Sequence, residues 1–208
     1  FQELVSAPFH DQINAIGFQR KLIGDFSEII SLIELNENIV ELDPNELREF
    51  ELSENGNLAR NILISDLDLL KEFGAAPTLN IIKEYERDDA FPFFPTDVYS
   101  FHVDRSPVPT DTILCTYHGD SSDIIPNSQA IQKILIPEVR ERLKGLYNGE
   151  ESGFDSFLSE FFFDLHYQAK PKTNPISLGV GNMWRLAVDH PGSLVQPCLH
   201  RAPKEVSG

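Results

Sequence analysis

The sequence predicts an α+β protein with helices packed outside a β-barrel or double sheet. Three observations carry that expectation. Helical periodicity dominates the chain to about residue 76. Runs of β-branched and aromatic residues follow. A helical stretch then interrupts those runs before strands resume near the C-terminus. The 208 residues are read as a single domain. In it a mainly helical part, 1–76, packs on a β-rich core, 77–208, with a helical insert at about 127–170.

The elements are expected in this order. Phe26 to Leu35 has apolar residues at helical spacing, and Asp43-Pro44 reads as an N-cap followed by proline at the first helical position. Ala59 to Phe73 is a stronger amphipathic helix, with Ile62, Leu63, Leu67, Leu70 and Phe73 on one side, stopped by Gly74 and Pro77. Thr78 to Tyr85 reads as a strand, followed by a loop from Glu86 to Thr96. Val98 to Val103 and Thr112 to Tyr117 are further strand candidates. Ala130 to Tyr147 reads as a helix kinked at Pro137. Gly153 to Tyr167 reads as another, with Phe154, Phe157, Leu158, Phe161 and Leu165 at i, i+3, i+4 spacing. Ile176 to Val188 and Leu194 to His200 read as late strands.

Composition narrows the function classes. Apolar residues make up 41% and charged residues 24%, ordinary for a globular chain, while 15 Phe point to an aromatic core. A net charge of −16 argues against nucleic-acid binding, which needs a basic footprint. The chain lacks an uninterrupted apolar run long enough for a membrane span, and its first residues lack the pattern of a signal peptide. The two cysteines, Cys115 and Cys198, form no zinc-type pair and read as reduced thiols in a cytoplasmic protein. With no initiator Met, the chain is expected to be trimmed.

The chemistry-bearing segment is Phe101-His102-Val103-Asp104. On a strand, residues i and i+2 point to one face, so His102 and Asp104 can reach a common point while Val103 turns away. An imidazole and a carboxylate converging in this way supply two-thirds of the 2-His-1-carboxylate facial triad of non-haem Fe(II) oxygenases. His200, in Leu199-His200-Arg201-Ala202-Pro203, is the expected third ligand. A facial triad leaves coordination positions open for a co-substrate and O2. His190 is the rival distal ligand but sits in a turn sequence. His118 reads as a loop residue, and His10 and His166 as surface or helix residues. Cys198 shares parity with His200 and reads as a core residue next to the pocket.

These motifs carry a resemblance. A strand ending at Tyr85, a loop, Phe101-His102-x-Asp104, a further strand and then Leu199-His200-Arg201 resemble the Fe(II)/2-oxoglutarate-dependent dioxygenases of the double-stranded β-helix fold. More closely, the chain is similar to an uncharacterised bacterial family within or beside that superfamily. That family shows a Gln-Arg pair (here Gln19-Arg20), F-H-x-D, C-T-Y-x-G (Cys115 to Gly119) and H-R-[SA]-P (His200 to Pro203). The resemblance implies a jelly-roll, cupin-like core, with Fe(II), 2-oxoglutarate and O2. It also implies hydroxylation of a small molecule or an amino-acid side chain. In that superfamily a basic residue on the strand after the distal histidine binds the far carboxylate of 2-oxoglutarate, and here that position would fall beyond Gly208.

Tyr117, Arg185 and Arg201 are therefore the candidates for co-substrate binding. For Tyr117 a packed core role is an equal alternative, and for Arg201 a salt bridge on the outer face is the first reading. Arg105 and Ser106, directly after the H-x-D, are candidates for substrate contact at the pocket mouth. The loop Asp88 to Pro95 reads either as a lid or as a segment folded onto the core by its phenylalanines. Two other functions fit the same pattern: a cupin-like metal protein of different activity, and a non-catalytic ligand-binding barrel.

Overall fold

The computed structural model describes residues 1–88 and 90–203. The fold is α+β with antiparallel sheets. The N-terminal part contains α1 (Gln2–Ser6), β1 (Ala15–Phe18), α2 (Phe26–Ser31), β2 (Ile39–Glu41), α3 (Pro44–Glu49) and α4 (Glu54–Glu72). The remainder contains β3 (Asn80–Ile82), β4 (Asp111–Cys115), β5 (Asp123–Ile125), β6 (Ala130–Gln132), α5 (Pro137–Leu146), α6 (Phe154–Glu160), β7 (Tyr167–Ala169), β8 (Ile176–Ser177), β9 (Met183–Ala187) and β10 (Leu199–Arg201).

Two three-stranded sheets, ordered β1-β9-β4 and β10-β5-β8, carry the site, and β2-β3 and β6-β7 form two-stranded ladders. No ladder among the described residues closes these sheets into a barrel. Strand alternation sets the inner faces. Ala15, Leu114, Trp184 and Leu186 of the first sheet share a buried cluster with Ile124 and Cys198 of the second sheet's side. Gly17 is required on that face, because a Cβ there would lie 2.8 Å from the Trp184 ring.

Several elements differ from the sequence expectation. The N-terminal part contains two strands, β1 and β2, besides its helices. Helix α4 begins earlier than expected, at Glu54, because Ser53 caps it through Gly56 N. Gly56 is tolerated inside the helix because the Glu28 carboxylate occupies the space a Cβ would need, where it accepts from Ser53 N and Oγ. Pro137 starts α5 as its first residue rather than kinking a longer helix; residues 130–132 ahead of it are strand. The helix expected over Gly153 to Tyr167 ends at Glu160. Phe162 then adopts a left-handed conformation (φ 58°) and the chain turns into β7. Val98 to Val103 forms no regular strand and pairs only through bridges at His102.

The loop before the H-x-D, apart from Asp89, which lies outside the described residues, folds onto the insert. Phe94 is fully buried with Phe154, Leu158, Phe163 and Leu143, and Phe91 and Phe93 pack beside them.

The helical part is fastened to the first sheet by a buried polar cluster. Arg20 forms a bidentate pair with Asp66 of α4, and its Nε donates to Gly181 O at 2.7 Å. Tyr117 Oη donates to Asp66 Oδ2 at 2.7 Å while its ring stacks on Phe26. Asp66 is 4% exposed, so its removal would strand a buried guanidinium. Asp66→Ala is expected to lower the unfolding free energy by about 3–5 kcal/mol, and Tyr117→Phe by only about 1 kcal/mol. Urea denaturation measures both, and equal small losses would contradict this role for the pair.

Candidate metal centre

The site follows from one alternation. Phe101, Val103, Leu165 and Leu199, with Ile125 and Ala130, form a buried apolar layer on one face of the second sheet's extension. The residues between them must face the other way. His102 and His200 lie directly opposite each other and exchange both backbone hydrogen bonds, His102 N to His200 O at 2.9 Å and His200 N to His102 O at 3.0 Å. His166 pairs with His102 on its other side. Ile124 pairs with His200. A single row of side chains, Ile124, His200, His102, His166, therefore crosses this face.

His102, Asp104 and His200 each offer a ligand atom, and these atoms lie within 4.8 Å of one another. His200 Nε2 is 3.6 Å from Asp104 Oδ1. Both imidazoles are held from behind by a carbonyl two residues upstream. His102 Nδ1 lies 2.8 Å from Ser100 O, and His200 Nδ1 lies 3.3 Å from Cys198 O. A carbonyl can only accept, so each Nδ1 donates, which leaves Nε2 as the ring nitrogen available at the common point. Thr112 Oγ1 donates to Asp104 Oδ2 at 2.5 Å and leaves Oδ1 for the same point. Burial, followed by repulsion from His200, lowers the His102 pKa, so its ring stays in the neutral form that binds metal.

The other residues singled out in the sequence lie elsewhere. Tyr117 is on the helical side of the sheet, engaged with Asp66. Arg185 donates to Val5 O and Ala7 O, stacks on Phe9 and lies 3.7 Å from Asp111, so it anchors α1 rather than facing the triad. Arg201 pairs with Asp123 at 2.7 Å and covers the Phe101 ring on the outer face. Arg105 also faces outward, bound to Asp189, Ser159 and Asp164. Ser106 N donates to Asp189 O, and its Oγ accepts from Val108 N in the turn that follows. Cys198 is buried in the inter-sheet cluster, and burial raises its thiol pKa to about 12.

His166 is a correction. It is 4% exposed and stands beside His102, with ring centroids 5.7 Å apart. Its Nδ1 lies 3.1 Å from Ser100 Oγ, which Lys133 Nζ also reaches at 2.7 Å. Sequence reading missed both His166 and Lys133. The one available signal was the even parity that His166 would share with the triad if β7 had been recognised. Compared with known protein families, curated proteins and solved structures, the chain matches none.

Burial first, then Lys133 and His102, push the His166 pKa from 6.5 down to about 3. A ring kept neutral in the fold contributes stability that is complete above about pH 6.5 and is lost as pH falls toward about 3. The metal-free protein is therefore expected to lose a few kcal/mol over that interval. His166→Gln should flatten this part of a stability–pH curve, and an unchanged slope would contradict the assignment.

Proposed function

We propose that this chain is a mononuclear non-haem Fe(II) oxygenase that uses 2-oxoglutarate and O2 to hydroxylate a small molecule or an amino-acid side chain. One observation carries the reading. Two imidazoles and one carboxylate, each oriented by a second hydrogen bond, converge within 4.8 Å. Two nitrogen donors and one oxygen donor on a sheet face suit a divalent first-row metal with open positions. Fe(II) bound there would supply O2 activation.

The chain's own residues do the positioning. Ser100 O and Cys198 O fix the ring tautomers, and Thr112 fixes the carboxylate. Leu114, Ile124, Trp184 and Leu186 form a dry wall between the sheets. We further propose that the two facing sheets are the halves of a double-stranded β-helix. The two free thiols fit a reducing compartment, and we place the protein in the cytoplasm on that basis. No helix among the described residues is long and apolar enough to cross a membrane.

A second reading has a specific basis. The wall between the sheets is apolar, and Arg105, Arg185 and Arg201 are all engaged away from it. A cupin-like metal protein that does not use 2-oxoglutarate would look the same at those positions.

Anaerobic Fe(II) titration separates the two readings. The oxygenase reading expects a visible metal-to-ligand absorption band when 2-oxoglutarate is added to the Fe(II) protein, lost in His102→Ala and His200→Ala. Bound iron without the band would support the cupin-like reading, and no bound iron would overturn both.

A further inference from the structure

We propose that Lys133 is a positioning residue of this site: a strut that acts through Ser100 to fix the ring of His102, one of the three metal ligands, and leaves His200 to a separate brace. The inference rests on the metal reading above.

Ser100 is the joint of this arrangement. Its carbonyl oxygen accepts from His102 Nδ1 at 2.8 Å. Ser100 belongs to no strand or bridge, so no ladder sets the direction of that carbonyl. Its own N–H bonds only back along the chain, to Asp97 O at 3.2 Å. The side chain supplies what a ladder would. Ser100 Oγ accepts from Lys133 Nζ at 2.7 Å and lies 3.1 Å from His166 Nδ1. With N–H, hydroxyl and carbonyl all engaged, the residue is held in one orientation behind the His102 ring.

Lys133 is itself fixed. Its N–H donates to His166 O at 2.9 Å, and its carbonyl accepts from Ile136 N at 3.1 Å. The ammonium also donates to Pro95 O at 3.3 Å, lies 4.9 Å from the centre of the Phe94 ring and is acted on by the charge of Asp97. Phe94 is fully buried in the aromatic insert. The half-buried lysine therefore joins that insert, the loop before the H-x-D and Ser100 at one point.

His200 is braced differently. Cys198, whose carbonyl faces His200 Nδ1 at 3.3 Å, has its N–H on Ala187 O at 2.8 Å and its side chain in the inter-sheet core. Backbone pairing and apolar packing do there what Lys133 and Ser100 do for His102. Loss of Lys133 should therefore be felt at one ligand ring only, which separates positioning from a general loosening of the fold.

The test compares the natural protein with two variants. Lys133→Met keeps nearly the length of the side chain and removes its donors, and Ser100→Ala removes the hydroxyl and keeps the carbonyl. Long-range 1H–15N spectra of the metal-free proteins near neutral pH report which nitrogen of each ring carries the proton. In the natural protein the His102 proton is expected on Nδ1. In both variants the His102 Nδ1 and Nε2 resonances should move toward each other as the ring samples both tautomers, while those of His200 stay in place. Zn(II) affinity, read by titration calorimetry, should fall about tenfold in each variant, the low end for a lost partner behind a metal ligand. The double variant should lose no more than either single one. Ser100→Ala carries the test if Lys133→Met does not fold. Unchanged His102 signals in the variants, equal shifts at His102 and His200, or additive losses in the double variant would overturn the strut. Failure of the natural protein to bind Zn(II) would overturn the metal reading, and the ring spectra, recorded without metal, would still decide the strut.

Discussion

The site depends on one apolar layer. Phe101, Val103, Leu165 and Leu199 are packed together on one face, and their burial leaves the intervening residues no choice of direction. A slip of one residue would bury His102 and His200 in that layer and turn the phenylalanine and valine outward. The reciprocal backbone pair between His102 and His200 locks the register from the other side. Two segments 98 positions apart in the sequence are thereby held one strand spacing apart, with their rings on the same face.

Burial and hydrogen bonding then act together on protonation. The backbone carbonyls of Ser100 and Cys198 select the tautomer of each ligand ring. Burial disfavours the charged form of His102 and His166. Arg105 and Arg201 are engaged with acids on the outer faces and Arg185 chiefly with carbonyls, so none of these three cations stands on the face where the two imidazoles and the carboxylate converge. Two imidazoles and one carboxylate consequently converge on that face in a strongly acidic protein.

The triad was legible because it needs only parity and type: i and i+2 on one strand, and a second histidine on a late strand. The fold class was legible for the same reason, from the change of period along the chain. What surrounds the triad was not. His166 follows Phe154, Phe157, Leu158, Phe161 and Leu165, whose spacing continues a helix. The helix is broken by a left-handed Phe162, which no local residue preference signals. Lys133 sits before Pro137 in what reads as one helix until the proline is recognised as its first residue. Helix α4 begins at Glu54, ahead of the expected start at Ala59, and runs through Gly56, where the Glu28 carboxylate occupies the space a Cβ would need. The destinations of Arg185 and Tyr117 depend on α1 and α4 packing against the first sheet, a tertiary fact that strand parity alone does not contain.

The central claim is that two particular imidazoles, each through Nε2, and one carboxylate meet at a single point. Long-range 1H–15N spectra of the histidine rings, recorded before and after adding Zn(II), test it most directly. The chain has six histidines. The account expects His102 and His200 to hold their proton on Nδ1 without metal, and those two Nε2 resonances alone to shift when zinc binds. Shifts at Nδ1, shifts on His166 or His190 instead, or no ring response to zinc would contradict it.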